Sequence, residues 1–145
     1  MKTPYYNFPV DFSGFMTGSH LPLCSLKASI DQHVQLIIAT RLGEHRSDPT
    51  YGCEIWDLDF QVVLSAGLWE DKLRQSLLET IKSHEKRLCK VEIKVKMTDA
   101  ERHSILNDNP EMKKKVLIEV MGTMSKTGEA YSYKTNLFLS PLSEY

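Results

Sequence analysis

The chain has 145 residues, 41% apolar, 26% charged and 9% aromatic, with 18 basic against 19 acidic side chains. A compact fold of this length withdraws roughly 68–70% of the unfolded chain's surface from water, enough for one core without a metal or disulfide staple, which excludes a multidomain machine. A formal charge of -1 gives no general attraction to polyanions, so neither nucleic acid nor anionic lipid is indicated as the main partner.

The charge is unevenly placed. Residues 1–81 carry 6 basic and 10 acidic side chains, whereas 82–145 carry 12 basic and 9 acidic. Opposite poles suit a part that sits between different protein neighbours. Cys24, Cys53 and Cys89 show no paired spacing and read as reduced thiols of a cytosolic protein, each a small core residue beside an apolar run. Met1 to Val10 lacks the apolar stretch of a secretory signal, and no window approaches the ~20 apolar residues of a membrane span.

In chain order, residues 1–22 hold Pro4, Pro9, Pro22, Gly14 and Gly18 among five aromatic rings. Prolines and glycines at this density prevent a long helix, and the rings argue against a solvated tail, so an extended arm lying on the domain or on a neighbour is expected. Ser25 is a candidate N-cap for a helix over about 25–41, with Leu26, Ile30, Val34, Ile37 and Ile38 at helical spacing and Gly43 as its stop. Gly43 to Gly52 is a polar loop, and Cys53 to Phe60 one or two helical turns. A second helix is expected over about 68–88 on the stripe Leu73, Leu77, Leu78, Ile81 and Leu88, with Glu70 and Asp71 in its first turn.

The period then changes from 3.6 to 2. Cys89, Val91, Ile93, Val95 and Met97 alternate with Lys90, Glu92, Lys94 and Lys96, which predicts a strand with one buried and one wet face. Residues 98–113 read as a loop with room for a helical turn near 99–106, and Val116–Met124 and Ala130–Leu139 as strands of a hairpin joined by 125–129. Helices followed by strands give an α+β class: two main helices packed on a small, mainly antiparallel sheet, with 23–140 as a single domain and 141–145 a short tail.

The five histidines form no H-E-x-x-H or close pair with cysteine, so no metal site is expected, and no glycine-rich phosphate loop or G-x-S-x-G elbow is present. The carboxylates around Glu44 and Asp48 could in principle supply a glycosidase acid/base pair, but acids in a loop are more often solvation or capping. Glu85-Lys86-Arg87 allows two readings. One is a solvated helix terminus with cations at the negative end of the dipole. The other is an anchor for a protein partner, built on the planar arginine fork, in which case Arg87→Ala would weaken docking and leave the fold intact.

Phe8-Pro9-Val10, the helix Ile30 to Thr40, Thr40-Arg41-Leu42-Gly43-Glu44, Asp48-Pro49-Thr50-Tyr51-Gly52-Cys53 and Leu58-Asp59-Phe60 together resemble the phage baseplate-wedge family, which includes the type VI secretion subunit TssE. The resemblance runs from about 8 to 139 in the family's order. Departures are Glu85-Lys86-Arg87 in place of E-P-R, His84 where tryptophan is common, His45 at the arginine of G-E-R, and Gln61 where an acid is usual. The 98–113 segment is also longer than the family's pattern.

The resemblance implies a non-enzymatic baseplate subunit without cofactor or small-molecule substrate, cytoplasmic and reaching the inner face of a membrane only through partners. Its partners would be wedge proteins and sheath subunits, the sheath adding to an exposed strand edge. On that reading the partner-binding residues are Glu85, Arg87, Gly43 and Glu44, with Tyr131, Tyr133, Thr135 and Leu137 along the edge strand. Two other classes stand beside it: an anti-adaptor that binds one regulatory protein, and a lysozyme-like glycosidase built on Glu44 and Asp48.

Overall fold

The computed structural model describes residues 4–57, 65–102 and 111–139. The arm folds back on itself: β1 (Tyr5–Tyr6) pairs antiparallel with β2 (Leu23–Cys24) around a single-turn helix, α1 (Phe12–Met16), capped by Asp11. Helix α2 (Leu26–Ala39) begins at Ser25, whose hydroxyl accepts the Ala28 N–H at 3.1 Å. Its apolar stripe buries Ile30, Val34, Ile37 and Ile38. The helix stops two residues short of the expected end because Thr40–Leu42 turn extended and bond to Cys53, through Cys53 N–H to Thr40 C=O at 2.8 Å and Leu42 N–H to Cys53 C=O at 3.3 Å. Gly43 therefore sits inside a turn, at φ +81°, rather than at a helix stop.

Glu54–Trp56 form one 3-10 turn; Leu58 to Phe60, the rest of that expected element, lie outside the described residues. Helix α3 (Ala66–His84) is capped by the Ser65 hydroxyl and buries Trp69, Leu73, Leu77, Thr80 and Ile81. It starts and ends earlier than its apolar stripe suggested. Glu70 and Asp71 thus fall beyond its first turn, and Glu70 instead accepts the Met97 backbone N–H at 2.7 Å. Leu88, the expected last member of the stripe, opens a strand.

That strand, β3 (Leu88–Arg102), pairs antiparallel with β4 (Glu111–Met124), which pairs antiparallel with β5 (Ala130–Leu139). The ladder extends through residues 98–102 and 111–113, where a loop was expected, because each residue there finds a register partner, Thr98 with Lys115 through Arg102 with Glu111. Residues 103–110 lie outside the described residues. The register shifts between Cys89 and Glu92, with Lys90 at φ 52°. One extra residue reverses the facing of what precedes it, so Cys89 is exposed rather than in the core. Opposite the shift, a Cβ on Gly122 would come within 3.1 Å of the Cys89 carbonyl oxygen, so glycine lets the two strands approach.

Val91, Ile93, Val116, Ile118, Val120, Tyr131 and Leu139 line the inner face of the sheet and pack with the buried stripes of both helices into one core. The class is α+β, with the three-stranded sheet covered on one face.

Candidate functional site

The chain leaves α3 at a buried acid. Glu85, 1% exposed, is the C-cap, and its carboxylate takes four donors. Oε1 accepts the Arg87 backbone N–H at 3.0 Å and Nε–H at 2.8 Å; Oε2 accepts Arg87 Nη2 at 2.6 Å and His33 Nδ1 at 2.8 Å. Burial alone would push this carboxyl up, but the bonds from Arg87 and His33 outweigh it and hold it at about 2. Arg87 goes on to Ser29 Oγ at 2.8 Å, its guanidinium lies 5.8 Å from the Tyr5 ring centre, and its carbonyl accepts Ser125 N–H. One ion pair thus ties α2, α3, the arm and the β4–β5 turn together.

Arg87 is therefore no free terminus. Removing its guanidinium would take the balancing charge and two of four donors from a buried carboxylate, so Arg87→Ala is expected to weaken the fold rather than leave it intact. Spacing could not reveal this, because His33 and Ser29 lie 52 and 58 residues away in sequence.

Gly43 and Glu44 close a turn. Glu44 N–H bonds to Arg41 C=O at 3.1 Å, and Glu44 Oε2 accepts Arg41 N–H at 2.9 Å. Asp48 accepts Thr50 N–H at 3.0 Å, the Thr50 hydroxyl at 2.5 Å and His84 Nε2 at 2.9 Å. The Thr50 hydroxyl, then His84, hold its carboxyl down at about 2. His84 Nδ1 lies 2.9 Å from the Thr80 carbonyl, so the ring bridges the end of α3 and the loop. With its carboxyl held ionised by these donors, Asp48 straps the loop to the helix and is not available as a general acid. Tyr51 sits at its centre, with the His33, His45 and His84 rings at 5.9, 5.7 and 5.1 Å.

Along β5, Tyr131 is 2% exposed and points into the core. Tyr133, Thr135 and Leu137 are half-buried on the same inner side. Ser132, Lys134, Asn136 and Phe138 face outward. Met124 N–H bonds to Glu129 C=O, and antiparallel bonds alternate from there. The N–H groups of Tyr131, Tyr133, Thr135 and Leu137 thus point to β4, and those of Ser132, Lys134, Asn136 and Phe138 to the open edge. The four expected edge residues contribute inward side chains and internal ladder bonds; the groups left open belong to their neighbours. On β3 the matching outward donor at Met97 is already taken by Glu70.

A groove of about 700 Å³ runs between the arm and α2, lined by Tyr5, Phe8, Pro9, His33, Leu36 and Arg87. Phe8, 68% exposed, and Leu36 present apolar surface there. No cluster of three metal-ligating side chains occurs among the described residues.

Residues 24–129 match the model of the family described as baseplate wedge protein gp25. No curated protein is significantly similar in sequence. Among solved structures, a protein of Geobacter sulfurreducens named a tail lysozyme is similar at 19% identity and TM-score 0.59, over 86% of this chain and all of that one. A chain of the baseplate complex from the type VI secretion system is similar at 16% identity and TM-score 0.55, over 77% of this chain and 92% of the other. At these identities the two structures establish a shared fold.

Proposed function

The chain belongs to the baseplate wedge protein gp25 family, structural proteins of baseplates, and from that premise we propose that it is a TssE-like subunit of a contractile injection machine that docks on wedge proteins and initiates the sheath. The observation that carries the sheath step is the outer edge of β5, where alternate backbone groups have no ladder partner among the described residues. An exposed edge is a liability unless an incoming strand completes it, and β-augmentation supplies its affinity through main-chain bonds. The opposite edge of the sheet, β3, is guarded by Glu70 at Met97 and is less available.

Wedge docking falls to the arm and its groove, where Phe8, Leu36 and the Arg87 end of the Glu85 pair lie side by side. In this proposal Glu85 and Gly43-Glu44 act by holding α2, the loop and α3 in place. The name of the Geobacter sulfurreducens protein does not carry a glycosidase to this chain, because Glu44 and Asp48 are spent on turns. Among the described residues no helix is long and apolar enough to cross a membrane, and the proposed place of work is the cytoplasm, at a membrane only through partners.

The test is a tagged pull-down at native level with mass spectrometry of the bound proteins. Recovery of wedge and sheath subunits is expected. Recovery of a single regulatory protein would replace this reading with the anti-adaptor one.

A further inference from the structure

The face of the three-stranded sheet turned away from the helices is built differently from its inner face. Register sets Lys94, Glu119 and Lys134 in one row across the strands, Lys96, Leu117 and Asn136 in the next, and Thr98, Lys115 and Phe138 in a third. Their in-strand neighbours Ile93, Val116, Ile118 and Val120 are buried, so these side chains point the other way. Lys134 bonds to Glu119 at 3.2 Å, which satisfies the one acid in the middle of the face. Lys94, Lys96 and Lys115 have no ion pair among the described residues. Leu117, 39% exposed, lies between Lys96 and Lys115, and Phe138, 55% exposed, stands beside Lys115 on the edge strand β5.

We propose that this outer face is a docking surface for an acidic segment of a partner protein, with carboxylates set against Lys94, Lys96 and Lys115 and apolar side chains over Leu117 and Phe138. The proposal rests on the reading that the chain works inside a baseplate. Charge complementarity selects the partner: lysines rim the face while the chain as a whole carries a formal charge of -1. An apolar centre inside a charged rim is the anatomy of a protein interface. A nucleic acid would use the lysines but leave Leu117 covered by nothing apolar, and the acidic N-terminal half of the chain would repel its phosphates. From the row at Glu92 to the row at Thr98 the face is about 20 Å long, at roughly 3.4 Å per residue, so three to four turns of a helix or a six-residue strand would span it.

The test is chemical and uses the assembly pulled down from the native host beside the isolated full-length chain. Acetic anhydride labelling of Lys94, Lys96 and Lys115 is expected to fall about fivefold or more in the assembly, as interface burial requires, while Lys72 keeps its reactivity. Zero-length carbodiimide coupling is expected to join Lys94 or Lys96 to an Asp or Glu of another chain. The double substitution Lys94→Glu/Lys96→Glu, at exposed positions, should abolish that link, and Lys94→Arg/Lys96→Arg should keep the partner bound. Equal labelling inside a recovered baseplate overturns the docking face and leaves the baseplate reading standing. Protection that nuclease removes, with no carboxylate link, overturns it in favour of nucleic acid. Recovery of no baseplate proteins overturns the baseplate reading, and this proposal falls with it.

Discussion

Replacing Glu85 by Gln changes one oxygen for an NH2 at the joint where four segments meet. The amide oxygen can still accept at one position, but the NH2 then replaces either Oε2, which had accepted from Arg87 Nη2 at 2.6 Å and His33 Nδ1 at 2.8 Å, or Oε1, which had accepted from the Arg87 backbone N–H and Nε–H. The native carboxyl is held at about 2 against an ordinary 4.5. At 1.36 kcal/mol per pH unit, that gap corresponds to about 3 kcal/mol of stability carried by the ionised form. The group is 1% exposed, so solvent screening takes little from the figure. Because the folded value lies below the unfolded one, the unfolded chain binds more protons between them. This stability is complete above about pH 5.5 and is lost as pH falls toward 2. Urea denaturation followed by far-ultraviolet circular dichroism, at pH steps from 7 to 3, should show Glu85→Gln less stable than the native chain by about 3 kcal/mol at pH 7, the difference shrinking as pH falls. A difference below about 1 kcal/mol at pH 7, or one independent of pH, would refute the account of Glu85 as an ionised clasp.

Arg87→Ala should cost about 3 kcal/mol in the same assay, since it takes from the buried Glu85 carboxylate its balancing guanidinium and two of its four donors, leaving His33 and one backbone N–H; a stability unchanged within about 0.5 kcal/mol would return Arg87 to the role of a free anchor. Gly52→Ala should lower the urea midpoint by the equivalent of at least about 2 kcal/mol, because Gly52 sits at φ +121° and a Cβ would lie 2.8 Å from the backbone of Thr40 and Arg41. Ser132→Pro removes an edge donor only, so the isolated protein should keep its stability within about 1 kcal/mol while sheath subunits disappear from the pull-down. Tyr133→Pro instead removes a bond to β4 and should destabilise the fold by about 1–3 kcal/mol, which makes loss of assembly in that variant uninformative. Native sheath recovery with Ser132→Pro would remove the β5 edge from the mechanism.

Local pattern was enough wherever one segment's periodicity decided its own fate. Ser25 and the stripe Ile30, Val34, Ile37 and Ile38 mark α2, and the alternation of β5 marks a strand whose bounds, Ala130–Leu139, are those observed. The ends of elements were less legible, since they depend on partners far along the chain. Leu88 continues the α3 stripe by spacing, yet Glu85 turns the chain out of the helix to meet Arg87 and His33. Thr40 has helical neighbours on one side, yet its carbonyl is taken by Cys53. The polar stretch at 98–102 and 111–113 carries no apolar alternation to mark it, and becomes strand because each residue there finds a register partner across the ladder.

Amino-acid sequence alone therefore determined the α+β class, the two helical stripes, the three strands and, through the order of its motifs, the resemblance to baseplate wedge proteins. Tertiary structure alone decided that Glu85 and Arg87 form a buried clasp with His33, that Cys89 faces water, and that the open groups of β5 belong to Ser132, Lys134, Asn136 and Phe138. The division follows from range. Hydrophobic periodicity acts between residues a turn or a pleat apart, whereas an ion pair between elements, a bulge and the phase of a hydrogen-bond ladder are set by which distant backbone comes alongside.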